Sequence, residues 1–186
     1  RNGLKGKIMT TYIAFLRGIN VGGKNRLPMA ELKAHLERAG FQKVKTYIQS
    51  GNVVFEHATV ATSALANKIG DVVASAKGFR PAVVVIDRAA LETAIGDNPF
   101  PGDEALDKTL HLYFLSERPT APDFEKLDAI KGRTESYRLK DAVFYLHTPD
   151  GFGRSKLAQR VEKLLGVNAT ARNWRTVQKV MELALE

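Results

Sequence analysis

The sequence predicts an α+β protein built from two ferredoxin-like βαββαβ units in tandem, with an extra C-terminal helix. Apolar residues recur with strand or helix spacing, and the order strand–helix–strand–strand–helix–strand occurs twice. A stretch rich in Gly, Pro and Asp, residues 96–107, separates the two occurrences. The repeat is one of topology, because the two halves share little residue-by-residue identity.

The elements of the first unit follow one another with short connections. They are strands over residues 11–16, 44–49, 53–56 and 81–86, and helices over residues 28–39 and 63–76. The first helix is indicated by Leu32 and Leu36, which share a face, and by Gly40 as its C-cap. Ser50-Gly51-Asn52 has the composition of a hairpin turn between the second and third strands.

The second unit repeats this order after the separating stretch. Its elements are strands over residues 109–115, 136–139, 142–147 and 167–171, helices over 123–131 and 155–165, and the extra helix over 174–185. Pro122 stands just before the first of these helices, and Gly166 ends the second.

Composition excludes several classes of protein. Of the 186 residues, 44% are apolar, as in ordinary globular proteins. Cysteine is absent, which excludes disulfides, thiolate metal sites and a cysteine nucleophile, and fits a cytoplasmic protein. The longest purely apolar run, residues 83–86, is far too short to span a membrane, and no signal-peptide pattern is present. We therefore expect no membrane partner.

The chain is basic, with 28 Lys and Arg against 20 Asp and Glu, a net charge of +8. Residues 1–8 resemble a leader or vector-derived segment before a natural start at Met9; they hold three of the cations, so the rest carries +5. This balance favours anionic ligands such as phosphates or nucleic acid, although solvated surface lysines give the same balance. The expected boundaries are 1–8 for the leader, 9–95 for the first half, 96–107 for a linker and 108–186 for the second half.

Residues 17–26, between the first strand and the first helix, have the composition of an anion site. Three glycines, two amides and three cations are present, so backbone N–H groups could wrap an anion while the cations supply charge. Gly18, Gly23 and Lys24 match the phosphate-loop pattern G-x-x-x-x-G-K. Asn25 replaces the Ser or Thr that such a loop places on magnesium, and the helix begins late. The remaining interpretations are an anion or polar-ligand loop without nucleotidase chemistry, and a tight connection whose glycines need positive φ.

The wiring of a βαββαβ unit predicts which loops are neighbours. The end of the first strand and the turn between the second and third strands lie at one edge, which places residues 17–26 beside residues 50–52. The loop after the third strand and the end of the fourth lie at the opposite edge, which places residues 150–156 beside residues 172–174 in the second unit. If the units pack head to tail, both clusters line one cleft, the usual setting of a ligand site.

The second cluster combines a glycine-bearing loop with a tryptophan between two arginines. Ser155 is a candidate N-cap, and Arg154 and Lys156 flank N–H groups that could bind a phosphate or carboxylate. A plain helix start with surface cations is the alternative. Trp174 could stack on a flat ligand or anchor packing. Ser155 and Lys156 are adjacent, so a serine–lysine dyad is not indicated.

The histidines give no metal site, because no two of the four have the i, i+4 spacing of helical ligands. Alternation is expected to place His111 and Tyr113 on one sheet face together with Tyr145 and His147. Such a face could stack bases in a nucleic-acid-binding module, although the basic-glycine-aromatic signature of that module is missing. Packing against the other half is the alternative.

Several longer motifs are specific enough to identify a relationship. They are residues 15–23 (FLRGINVGG), 29–32 (MAEL), 46–55 (TYIQSGNVVF), 98–100 (NPF), 153–157 (GRSKL) and 170–177 (TARNWRTV). With these motifs the chain resembles the bacterial family called domain of unknown function 1697, over nearly everything from Met9 onward. The resemblance implies a two-part α+β protein of bacterial type and no particular activity.

Together these patterns favour a protein that binds a small anionic or polar ligand between its halves. The candidate ligand-binding residues are Arg17, Gly18, Asn20, Gly22, Gly23, Lys24, Ser50, Gly51, Asn52, Gly153, Arg154, Ser155, Lys156, Arg172, Asn173 and Trp174. No nucleophile, metal cluster or acid–base pair stands out, so an enzyme of this sequence would act by positioning and electrostatics, and any cofactor is unknown. The alternatives are a nucleic-acid-binding module and a structural or partner-binding protein without a small ligand.

Overall fold

A computed structural model describes residues 6–100, 102 and 105–186. Most of the predicted leader and three positions of the predicted linker lie outside the described residues. The strands are β1 (Met9–Arg17), β2 (Gln42–Tyr47), β3 (Asn52–Ala58), β4 (Ala82–Asp87), β5 (Leu110–Leu115), β6 (Ser136–Lys140), β7 (Val143–His147) and β8 (Ala169–Asn173). The helices are α1 (Met29–Arg38), α2 (Thr62–Lys77), α3 (Arg88–Gly96), α4 (Leu106–Thr109), α5 (Phe124–Ile130), α6 (Val161–Leu165) and α7 (Trp174–Leu185).

The strands form two four-stranded sheets with the same topology. Their orders are β2-β3-β1-β4 and β6-β7-β5-β8, and the neighbouring strands are antiparallel. This is the strand order of the ferredoxin-like βαββαβ unit, occurring twice, and it confirms the predicted fold class. The chain divides into two compact units, Arg1–Leu91 with Val180–Glu186, and Glu92–Lys179. Among the described residues, no helix has the length and apolar character needed to cross a membrane.

In the first unit, α1 and α2 cover one face of the sheet. Met29, Leu32 and Leu36 recur at helical spacing, so α1 presents one apolar stripe to the core. The stripe meets Phe55 of β3, which is fully buried. Gly40 has φ 96°, the left-handed conformation that commonly follows the end of a helix. Spacing and cap together explain why the predicted helix forms where it does.

In the second unit, the corresponding core lies between one sheet face and the segment that contains α5 and α6. Phe144 of β7 and Tyr113 of β5 are buried there against Leu127 of α5 and Leu164 of α6. Asp123 starts α5, because its side chain accepts the amide of Lys126 at 3.1 Å.

The predicted helix over residues 155–165 is shorter in the structure. A 3-10 turn occupies Phe152–Arg154, and α-helix begins only at Val161. The Ser155 hydroxyl accepts the Ala158 amide at 3.0 Å, as a helix cap does. The Arg160 amide then donates to the Leu157 carbonyl at 2.9 Å, an i→i+3 bond that keeps the segment as successive turns.

Candidate functional site

The glycine-rich loop of the first unit is a small hairpin. The Lys24 amide donates to the Val21 carbonyl at 3.0 Å, and the two residues form an isolated antiparallel bridge. Gly22 and Gly23 lie between them with φ 58° and 75°, the signs required by a type I′ turn. The lysine therefore stands on the returning arm of a hairpin, and α1 begins only at Met29. A phosphate loop instead runs directly from its lysine into a helix.

Two asparagines hold this loop in shape. Asn20 Nδ2 donates to the carbonyls of Leu27 and Gln49, both at 2.8 Å, and Asn20 Oδ1 accepts the Leu27 amide at 2.8 Å. Asn25 Nδ2 donates to the Gly18 carbonyl at 2.8 Å. Both asparagines are left-handed, with φ 53° and 51°, a conformation that Asn tolerates better than most residues. Their amides thus serve the architecture of the loop.

The turn between β2 and β3 adjoins this loop, as the wiring predicts. The Leu16 amide donates to the Gly51 carbonyl at 2.8 Å, in addition to the bond from Asn20 to Gln49. Asn52 is buried, and its Nδ2 donates to the Tyr47 carbonyl at 2.9 Å and to Ser50 Oγ at 3.0 Å. The nine candidate residues of the first unit therefore lie close together. The corner of the unit that they occupy is formed by residues 17–26 and by the turn that ends at Asn52.

The charged residues of the two segments that form this corner are all cations. Residues 17–26 carry the exposed cations Arg17, Lys24 and Arg26 and no acid, and residues 47–51 carry no charge. The Lys24 side chain forms no ion pair or hydrogen bond with any described residue. The next acid along the chain is Glu31, whose pKa is lowered chiefly by a hydrogen bond from Lys77 at 2.9 Å. Arg26 lowers the same pKa through its charge, so Glu31 is also close enough to act on Arg26, while Lys77 is its main partner.

In the second unit, the loop after β7 lies beside the end of β8, again as the wiring predicts. Phe152 stacks on His111 with ring centroids 3.7 Å apart and an interplanar angle of 17°. His111 in turn pairs with Asn173 in the register of β5 and β8. His111 Nδ1 is buried without a hydrogen-bond partner among the described residues, and burial lowers the His111 pKa to about 4.

The candidate residues of the loop after β7 differ in exposure. Gly153, Arg154 and Lys156 are exposed, whereas Ser155 is 2% exposed and its hydroxyl closes the turn to Ala158. The two cations form no ion pair within the described part of the chain. They are the members of this loop that an anion in solvent could reach.

The candidate residues at the end of β8, Arg172 and Asn173, and Trp174 after it, do not all face the same side of the sheet. Successive residues of a strand face opposite sides of its sheet, so Arg172 and Asn173 are on opposite faces. Asn173 Oδ1 accepts the Thr176 amide at 2.9 Å and caps α7, which begins at the partly buried Trp174. Arg172 is 9% exposed, and burial lowers its pKa to about 10.

The predicted His/Tyr face is wrong. The register pairs Leu112 with Tyr145 and Leu110 with His147, so these two side chains face away from His111 and Tyr113. A shift of one residue in register exchanges the faces of a strand, and spacing along the sequence does not fix that register.

The tyrosines concerned are held by packing and hydrogen bonds. Tyr113 Oη donates to the Ala158 carbonyl at 2.8 Å, and burial raises the Tyr113 pKa. Tyr145 Oη donates to the Ala94 carbonyl at 2.7 Å, and burial, followed by the charge of Asp97, raises the Tyr145 pKa to about 12. Neither ring offers the open face that base stacking needs.

No group of three or more His, Cys, Asp or Glu side chains suited to a metal ion occurs among the described residues.

Comparison with protein families decides the relationship. The profile "Protein of unknown function (DUF1697)" matches residues 9–145, most of the chain. The chain belongs to the DUF1697 family. The matched range contains the first four of the specific motifs, including the whole candidate corner of the first unit. The motifs at residues 153–157 and 170–177 lie beyond it.

The fold of this DUF1697 protein recurs in a solved structure. A conserved bacterial protein, SP0830 from Streptococcus pneumoniae, is similar with a TM-score of 0.67 and 23% sequence identity. The similarity covers 95% of this chain and 99% of that one, so both units are included. No curated protein matches the sequence.

Sequence reasoning missed three residues that shape this DUF1697 protein's candidate regions. In the sequence, Asn25 is only a mismatch to the phosphate-loop pattern. In the structure, its side chain stabilises the loop through the hydrogen bond to the Gly18 carbonyl. His111 and Phe152 form the stacked pair that joins the second loop to its sheet. The signal for Asn25 was its place in a glycine-rich turn, where Asn is favoured; the signal for the ring pair exists only in three dimensions. Whether the two clusters share one ligand stays a prediction.

Proposed function

We propose that this DUF1697 protein binds a small anionic ligand through its glycine-rich hairpin loop, residues 17–26, and the adjoining turn, residues 48–52. The observation that carries the proposal is a preshaped, exposed loop with three cations and no acid. The basic loop of the second unit, with Arg154 and Lys156 exposed, supports the same class of ligand.

The loop is preorganised for binding. Asn20 and Asn25 make four hydrogen bonds to backbone groups, so the loop conformation is fixed by the protein's own contacts. A site ordered during folding does not lose that conformational entropy again when a ligand binds. An anion that meets this loop therefore pays no further cost for ordering the loop backbone.

The tip of the hairpin leaves backbone donors accessible. Gly22 and Gly23 are exposed, make no hydrogen bond with any described residue, and would have open space around an added Cβ. The absence of side chains lets a ligand approach the backbone N–H groups closely. Lys24 supplies a mobile point charge beside them, while Arg26 offers several donors in a planar fork. The expected ligand is a phosphate or a carboxylate.

Titration followed by amide NMR tests this proposal. Inorganic phosphate, a sugar phosphate, a nucleotide and a dicarboxylate would each be added at low salt, about 20 mM, where screening of exposed charges is weak. We expect the Gly22 and Gly23 amide resonances to shift with saturation. Lys24→Gln should weaken binding by about three- to tenfold, since it removes one exposed charge contact of about 1 kcal/mol.

The matched control is Lys33→Gln, which removes the same charge from an exposed position on α1. Its affinity should equal that of the native protein. If none of the four anions shifts the Gly22 and Gly23 resonances, the proposal is wrong; equal weakening by both variants would assign the effect to net charge alone.

A further inference from the structure

The same corner exposes two large aliphatic side chains. Val21 on the hairpin arm is 67% exposed, and Ile48 in the turn after β2 is 50% exposed. Each is the chain neighbour of a residue in the bond from Asn20 Nδ2 to the Gln49 carbonyl, 2.8 Å long. Consecutive Cα atoms are about 3.8 Å apart, so both aliphatic residues lie close to this contact. The basic corner therefore also has apolar surface.

Ile48 occupies a conformation that its side chain disfavours. Its φ is 46°, in the left-handed region where a β-branched residue is an outlier. Gly or Asn would fit this backbone without the same strain, and half of the Ile48 side chain stays in water. Strained residues of this kind concentrate at ligand-contacting positions. Burial in the fold covers only half of this side chain, so the other half is accessible to a ligand.

We propose that the ligand of this corner is an amphipathic anion, a phosphate or carboxylate that carries an aliphatic chain. The inference rests on the proposed function and narrows the class of ligand. The anionic group lies at Lys24 and Arg26, and the chain lies across Val21 and Ile48. An inorganic anion would leave both aliphatic side chains in water, and an uncharged apolar molecule would leave the charge of Lys24 without a counter-charge.

The test is a chain-length series. Inorganic phosphate would be compared with ethyl, butyl and hexyl phosphate, each titrated while the amide resonances of Gly22, Gly23 and Gln49 are recorded. A fully buried methylene contributes about 0.8 kcal/mol, so contact on an open surface at half that value gives about a twofold gain in affinity per methylene. We expect hexyl phosphate to bind at least tenfold more tightly than ethyl phosphate.

Two variants separate apolar contact from charge. Val21→Ser and Ile48→Gly should each weaken binding of hexyl phosphate more than binding of inorganic phosphate, so that the dependence on chain length becomes flatter. Ile48→Gly should at the same time leave the melting temperature nearly unchanged, because relief of the positive-φ strain offsets the lost burial and the greater entropy of the unfolded chain. A variant of unchanged stability that binds hexyl phosphate less tightly marks a ligand-contacting role, since loss of a merely structural residue would lower stability.

The control is Val60→Ser, because Val60 is 42% exposed and follows the far end of β3, at the opposite edge of the same sheet. It should keep the full chain-length dependence. Binding of phosphate with no gain from the alkyl chain would overturn this inference and leave the proposed function standing. A gain that survives both Val21→Ser and Ile48→Gly would also overturn it. Absence of binding by every phosphate would overturn both.

Discussion

Backbone conformation at single residues determines the shape of the candidate corner. Gly18, Asn20, Gly22, Gly23 and Asn25 all have positive φ within one connection. Glycine enters this region without a steric cost, and the two asparagines are stabilised there by their own hydrogen bonds. A chain that turns sharply five times in eight residues needs these residue types, whether or not it binds a ligand.

Gly51 is the glycine with the strictest requirement. Its φ is 91°, and a Cβ added there would lie 2.8 Å from both Leu16 Cβ and Ile19 Cδ1. Gly51→Ala should therefore lower the free energy of unfolding by about 2–4 kcal/mol, through overpacking and left-handed strain together. Gly22→Ala is the comparison, because Gly22 has φ 58° with open space around it, and strain alone costs about 1–2 kcal/mol. Urea denaturation measures both free energies of unfolding. Equal losses in the two variants would show that close packing around Gly51 adds nothing to the cost of backbone strain.

At the scale of elements, the hairpin loop is stabilised mainly by Asn20. Asn20→Gly keeps the positive φ but removes three hydrogen bonds, which should cost about 2–3 kcal/mol at about 1 kcal/mol each. Asn25→Gly removes a single hydrogen bond and should cost about 1 kcal/mol. Urea midpoints report the stabilities, and hydrogen exchange at the Leu27 amide reports the loop directly. Unchanged exchange at Leu27 in Asn20→Gly would contradict the role given to Asn20.

In the elements that were predicted correctly, apolar residues recur at the spacing of a helix or a strand. The elements that were missed lack such a pattern. The strands and α1, α2, α5 and α7 were predicted within a few residues, because core residues such as Leu32 and Leu36 repeat at the spacing of the element. Helix α3 was missed although Asp87 accepts the Ala90 amide at 2.7 Å, a cap legible in the sequence before a run of helix formers. Its apolar stripe is short, with Leu91 and Ala94 buried, so periodicity alone did not reveal it.

The scale of the whole molecule shows what sequence patterns leave open. Because the same order of strands and helices occurs twice, the sequence predicted two units of the same fold. The connectivity within each unit also predicted which of its loops are neighbours. The register between β5 and β7 could not be predicted in this way. The positions of His111 and Tyr145 in the sequence do not determine which residues of the two strands lie opposite each other. The exposure of Val21 and Ile48 was equally hidden, because aliphatic residues beside a strand are ordinarily core. The candidate corner was thus predictable in its polar residues and not in its apolar ones.

The stability of the whole protein should fall in mild acid because of one histidine. Burial lowers the His111 pKa from 6.5 to about 4, so between these values the unfolded chain binds a proton that the folded protein does not. Stability is therefore complete above about pH 6.5 and decreases as the pH falls towards 4. Between pH 7.5 and 5 the expected loss is about 1–2 kcal/mol, where the lower figure allows for solvent at the partly exposed ring.

Urea midpoints across this range, compared between the native protein and His111→Leu, isolate the effect because every other titrating group is common to both. The difference between the two curves should grow steadily below pH 6.5; parallel curves would show that His111 titrates normally in the folded state.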